Sequence, residues 1–358
     1  MRLKKTLSIV FAILVVMALL VGCGPGPTET PTEPPSEGPT EPGKVETAKP
    51  TEAPPLRKMA WICESSLTDG GWNENGFAAV NELAAKHGFE LSYQEDVKGT
   101  EVADVLRNYA ASGYEFVISN EQYHAEEMAV IATEFPDVTF GCINGYVAAE
   151  TGNMYAITGD NWQHIYLAGV MAGGVTESKK IGLITFSTDS DSALLMVAAW
   201  GSGARAHDPD VELIHVATGS FSDLAIGKEM AISLVDQGCD VIFCNSGDTN
   251  ETVMDYCIEN GIFAVSAIVN RNDWSPDYVI GSAMLQPSDM LRVIIDGYVE
   301  GTLAPSTEVM VMGLKEGIED FIINPDIKDK VDPAVFEKID QIRADIIAGK
   351  IVKDDLYS

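Results

Sequence analysis

From Met59 onward, short apolar runs alternate with longer stretches whose apolar residues recur every three or four positions. The runs Met59–Cys63, Glu90–Tyr93, Phe116–Ser119, Thr139–Cys142, Ile181–Thr185, Glu212–Val216, Val241–Cys244 and Phe263–Ser266 predict strands. Between them, Asn75–His87, Glu101–Ala111, Ala125–Glu134, Ile165–Gly173, Ala193–Ala206, Leu224–Asp236 and Glu251–Asn260 predict amphipathic helices. Gly88, Gly113, Gly238 and Gly261 follow helix ends, where glycine accepts the left-handed cap. Strands alternating with helices of this length predict βαβ units, and so an α/β protein with parallel sheets covered on both faces.

The pattern rhymes with itself. Gly113-Tyr-Glu-Phe-Val-Ile-Ser-Asn120 matches Gly238-Cys-Asp-Val-Ile-Phe-Cys-Asn245: a helix end, a buried strand, then Asn and a polar loop. Two similar α/β lobes account for this most simply. Ligands of open parallel sheets bind beyond the carboxyl ends of the strands, where loops and helix N-termini converge. With two lobes, that places the site in the cleft between them.

The first sixty residues follow other rules. Met1-Arg2-Leu3-Lys4-Lys5, an apolar run from Leu7 to Leu20 and Leu20-Val21-Gly22-Cys23 describe an export signal over residues 1–22. The run is too short for a membrane-spanning helix. Its last four residues resemble the bacterial lipobox, which implies acylation of Cys23. Residues 23–56 turn to Pro, Thr, Glu and Gly and hold ten of the chain's 17 prolines. Such a stretch has little to bury, and the spaced Glu29, Glu33, Glu37 and Glu41 repel one another. It reads as a disordered tether.

Charge narrows the partners. The 358 residues carry 23 Lys+Arg against 54 Asp+Glu, a net charge of −31. Such a surface repels phosphate backbones and anionic lipids, which argues against nucleic-acid binding and a polybasic membrane patch. The six cysteines form no CxxC pair and the five histidines stand apart, so no metal or other cofactor is expected.

Candidate ligand groups lie at the strand ends. After the first strand come Asp69-Gly-Gly-Trp72-Asn73. Trp72 either stacks on a flat ligand or packs in the core; Asn73 either bonds a ligand's edge or caps a helix. Later strand ends supply Asn120 with Glu121 and Tyr123, then Phe221 with Asp223, then Asn245 with Asp248, then Asn270 with Trp274. Trp162 sits at what reads as the crossover between lobes. Asp223 and Asp248 are also good helix caps, and Phe221 is also a candidate for the core.

These residues resemble the Bmp (basic membrane protein) family of substrate-binding lipoproteins of ABC transporters, whose best known members are purine nucleoside receptors. The likeness rests on the lipobox at Cys23, Thr68–Asn73, Leu167–Gly173, Gly219–Asp223, Gly227–Ala231 and Asp236–Phe243. It implies the two-lobed periplasmic-binding-protein type I fold, with 57–158 plus 287–305 in the first lobe and 159–286 plus 306–345 in the second and the hinge. It implies no catalysis, and a lipid-anchored monomer on the outer face of the membrane that hands its ligand to an ABC permease. Trp72 and Phe221 then become the two sides of an aromatic sandwich around a base whose edge Asn73 bonds.

The chain departs from the nucleoside-binding pattern in two places. Those members resemble one another in an Asp after the strand at 263–266 and a Lys after the strand at 278–284, which hold ribose hydroxyls. Here Ile268 and Leu285-Gln286 stand near those positions. Unpaired buried polar groups cost about 1–3 kcal/mol each, so a free purine-like base is expected ahead of a nucleoside. The rival readings are a sensory binding protein, a sugar or autoinducer binder on the same fold, and a secreted nucleoside hydrolase. For the last, no nucleophile elbow or P-loop is present.

Overall fold

The computed structural model describes residues 57–69 and 71–357; the expected export signal, Cys23 and tether lie outside them. The first lobe is built from β1 (Arg57–Ile62), α1 (Trp72–His87), β2 (Phe89–Gln94), α2 (Glu101–Ala111), β3 (Phe116–Ser119), α3 (Ala125–Glu134), β4 (Thr139–Ile143) and β5 (Met154–Gly159). The second contains α4 (Gln163–Val175), β6 (Lys180–Thr185), α5 (Asp191–His207), β7 (Glu212–Ala217), α6 (Leu224–Asp236), β8 (Val241–Asn245), α7 (Thr249–Glu259), β9 (Phe263–Ile268) and β10 (Val279–Leu285). The chain then returns through α8 (Pro287–Glu300) and β11 (Met310–Met312), and ends with β12 (Glu319–Ile323) and α9 (Pro333–Ile347).

The two sheets share one topology. Their strand orders are β2-β1-β3-β4-β5-β11 and β7-β6-β8-β9-β10-β12, parallel throughout except for β10–β12. The sequence rhyme falls on β3 and β8, the strands that occupy the same place in each sheet. All four residues of β3 are buried, as are the first four of β8. Both faces of each sheet are covered, so an apolar run without alternation marks a strand here.

The chain crosses between lobes three times: from β5 to α4, from β10 to α8, and from β11 to β12. Residues 287–300 return to the first lobe as α8, where Met290, Leu291, Ile294 and Ile295 share a core with Leu83, Phe116 and Tyr155. The expected allocation of 306–345 to the second lobe needs correcting. β11 pairs with β5 through Met310, Val311 and Met312, so the third crossing comes after residue 312. The allocation also stopped short at the C-terminus: α9 runs to Ile347, and Leu356 is buried in the second core, its carbonyl accepting from Ser202 Oγ at 3.0 Å.

One helix pair anchors the second lobe. α4 is apolar almost all round and ten of its residues are buried. A Cβ added at Gly169 or Gly173 would meet the backbone of Trp200 or Ala204 on α5, and one at Gly203 the carbonyl of Tyr166. The Leu167–Gly173 segment is thus glycine-rich because two backbones touch there. Gly203→Ala places a methyl against an immovable carbonyl and is expected to cost ~3 kcal/mol in a urea melt. An unchanged midpoint would show that the helices separate freely.

Candidate functional site

In both sheets the strand order reverses between the first and third strands of the lobe, β1 and β3 in one, β6 and β8 in the other. Connections leave to opposite sides there and open a crevice at the carboxyl ends, the place where α/β sheets hold ligands.

The first lobe's crevice is closed by side chains. Asp69 accepts backbone N–H bonds from Gly71 at 2.9 Å, Asn73 at 2.9 Å and Glu74 at 3.1 Å. It therefore caps α1, since the first helical N–H groups have no partner within the helix and the dipole favours an anion there. Trp72, half-buried, donates its Nε1–H to the carbonyl of Asn120 at 2.7 Å, tying α1 to the end of β3. Asn73 is buried; its Nδ2 donates to Ser65 Oγ at 2.9 Å, and its Oδ1 accepts from Asn120 Nδ2 at 3.1 Å. Asn120 Oδ1 is buried without a hydrogen-bond partner and lies against α1 at Gly76, where an added Cβ would sit 2.6 Å away. Gly76 thus lets the helix close over the amide.

Glu121 stands next to this pair, half-buried. Burial first, with the Glu64 and Asp69 carboxylates, pushes its carboxyl up to about 8 against hydrogen bonds from the Glu64 backbone and Asn73. The group is therefore mostly protonated at neutral pH and offers an O–H donor beside the Asn73 and Asn120 amides.

In the second lobe, Phe221 is 48% exposed and stacks on Phe186, 39% exposed, with centroids 4.1 Å apart and planes 10° from parallel. The carbonyl of Phe221 accepts from Asp248 N at 2.8 Å. Asp248 occupies the cap position of α7 without a side-chain capping bond. Burial and then the Asp69 carboxylate raise its carboxyl above the ordinary value. Asp69 belongs to the first lobe, so the loop before α1 and the start of α7 lie within electrostatic reach of each other.

The remaining candidates divide. Asn245 is half-buried at the end of β8. Asn270 is exposed, and its Oδ1 accepts from Asn272 N at 3.1 Å within its own loop. Trp274 lies under the Arg271 guanidinium, 4.7 Å from the ring centre. Trp162 is 2% exposed in the second core, its Nε1 bonded to Asp160 Oδ2 at 2.7 Å, which takes it away from a ligand surface. Asp223 caps α6, its Oδ1 accepting from Ala225 N and Ile226 N. Phe186 was not among the candidates, although it follows β6 directly, as Asn120 follows β3.

The hinge is held by a carboxylate. Glu319, with no side-chain exposure, accepts the backbone N–H groups of Asn161, Gln163 and His164, and His164 Nδ1 lies 2.7 Å from its Oε2. Gln163 Oε1 in turn accepts from Leu314 N at 2.8 Å. The first and third crossings are thereby bound together.

Residues 56–355 match the family described as "ABC transporter substrate-binding protein PnrA-like" (Bmp). The chain belongs to this family. It is similar to Basic membrane protein A of Borreliella afzelii, with 21% identity over 302 residues, covering 83% of this chain and 91% of that one. A putative ABC transporter glucose-binding protein of Haloferax volcanii is 29% identical over 204 residues, 56% of this chain and 51% of its own. Among solved structures, an ABC transporter solute-binding protein from Aeropyrum pernix K1 superposes with a TM-score of 0.71 at 16% identity, covering 83% and 92%. The two parallel-sheet lobes are those of a type I periplasmic binding protein. Members of the family are extracytoplasmic, non-enzymatic proteins that bind small molecules and present them to a permease. No helix among the described residues is long and apolar enough to cross a membrane.

Proposed function

We propose that the chain captures a flat, purine-type heterocycle, as free base or nucleoside, and delivers it to an ABC importer while tethered to the outer membrane face through a lipid on Cys23. The observation that carries this reading is the exposed ring of Phe221 at the carboxyl end of the second sheet. The first lobe offers Trp72, half-buried, and the Glu121 carboxyl, both set in place by the buried Asn73–Asn120 pair; the second offers the exposed ring of Phe221. Flat faces bind by stacking, while a protonated carboxyl and the Asn245 amide supply the donors and acceptors that a base edge requires. Asn245 and Asp248 complete the rim, and Asp69 acts by setting the start of α1.

Closure needs no chemistry. Lobes joined by three crossings sample open and closed forms, and a ligand that touches both favours the closed one by its difference in affinity. The likeness to a putative glucose-binding protein favours a second reading, a sugar ligand.

Thermal shift and calorimetry of residues 57–358 against adenine, guanine, their nucleosides, ribose and glucose separate the two. A ligand at 100 times its dissociation constant adds about 2.7 kcal/mol. Bases or nucleosides are expected to raise the melting temperature and to be recovered unchanged. Trp72→Ala is expected to abolish that shift. A response to sugars alone overturns the aromatic reading, and turnover of the nucleoside would make the protein a hydrolase.

A further inference from the structure

We infer that Phe186 is a specificity-determining residue of the cleft, forming with Phe221 a two-ring wall that selects a planar heteroaromatic ligand and leaves no provision for an attached sugar. This rests on the reading above and adds to it a residue and a ligand class.

Three observations converge. Phe186 follows Thr185, the last residue of β6, and β6 and β8 flank the point where the strand order of the second sheet reverses. It therefore stands at the crevice where such sheets hold ligands. Second, both rings are exposed although they lie on opposite loops and stack almost parallel. A pair of large aromatic faces held in register and left in water is a surface prepared for a third flat ring. The Phe221 backbone is tied to Asp248, which lies within electrostatic reach of Asp69 on the other lobe.

Third, the neighbouring strand ends are apolar or self-satisfied. Neither 266–270 nor 282–286 contains a charged residue. Ile268, half-buried, has φ of +68° and centres a turn closed by Val269 N to the Ala267 carbonyl at 2.7 Å. A β-branched residue is strained in that region, and such strain persists where the surroundings fix it, often at ligand sites. Leu285 is 9% exposed, and the Asn270 Oδ1 accepts from Asn272 N and from Ser282 Oγ. Sugar hydroxyls reaching this wall would give up water for hydrocarbon. The polar edge of the ligand is met by Glu121 on the first lobe and by Asn245 and Asp248 on the rim of the second.

Calorimetry with adenine and adenosine on residues 57–358 tests this. The wild type is expected to bind adenine more tightly than adenosine. Phe186→Leu is expected to weaken adenine about tenfold with the melting temperature of the free protein unchanged, since the ring is exposed, and Phe186→Tyr to restore it. Phe221→Leu should weaken adenine at least as much. If Phe221→Leu loses binding while Phe186→Leu retains it, Phe186 is not part of the wall and the function proposed above survives. Tighter binding of adenosine than adenine overturns the ligand class alone. If the wild type binds neither compound, the proposed function falls and this inference falls with it.

Discussion

Glu319→Ala is expected to lower the melting temperature by about 10 °C, the largest stability loss of any single change at the hinge. The carboxylate is fully enclosed and accepts three backbone N–H groups at the start of α4, together with the His164 ring. Its removal leaves those donors buried and unpaired. Each buried donor left without its acceptor costs about 1–3 kcal/mol. Glu319→Gln tests the charge separately. It keeps the volume, yet turns an N–H₂ toward donors and should recover only part of the loss. Both variants also release the third crossing from the first, so a ligand's thermal shift should shrink along with the baseline. A melting temperature within 2 °C of wild type for Glu319→Ala would mean that the crossings are held by Gln163 and by packing.

Much of the fold is legible because buried parallel strands and amphipathic helices write different periods into the chain. Glu101–Ala111, Ala125–Glu134 and Leu224–Asp236 coincide with their helices to the residue, and Phe116–Ser119 with its strand. The unanticipated elements lack that contrast. β11 has three residues, β12 joins by an antiparallel edge, and β5 follows a long loop with no helix between it and β4. The misassigned segment around 306–312 follows from β11, since three residues carry no readable period and only pairing with β5 reveals their lobe.

The site is less legible than the fold, for a physical reason. A strand end tells where a side chain starts and nothing of what it satisfies. Asp69, read as a ligand group, spends its oxygens on three helix N–H groups; Trp162, read likewise, fills a core. Phe221, which sequence left between core and cleft, is exposed because its loop leans on Gly247 and Asp248. Phe186 lay in a Ser/Thr/Asp-rich segment that reads as an ordinary loop. The strand-end rule, applied to β6 as it was to β3, finds it.

Glu121→Gln is expected to remove a fall in stability that the wild type shows between about pH 5 and pH 8. The folded-state carboxyl titrates near 8, whereas the ordinary value is 4.5, with burial as the leading cause. Between those values the folded chain holds a proton that the unfolded chain has released, so raising the pH favours unfolding. The contribution is fully present below about 4.5 and lost as pH rises through 8, at up to about 1.4 kcal/mol per pH unit. His124 and His215 act in the opposite sense. Burial lowers both, so their folded forms stay neutral while the unfolded chain binds protons below about 6.5. Melting curves of the wild type alone therefore superimpose the two effects, and the difference between wild type and Glu121→Gln isolates the carboxyl. The two proteins should melt together near pH 4.5 and diverge steadily above it, with the variant more stable at pH 8. Parallel curves would place Glu121 in water with an ordinary carboxylate. That outcome would also remove the O–H donor from the first lobe's wall and leave Asn245 and Asp248 to read the ligand's edge.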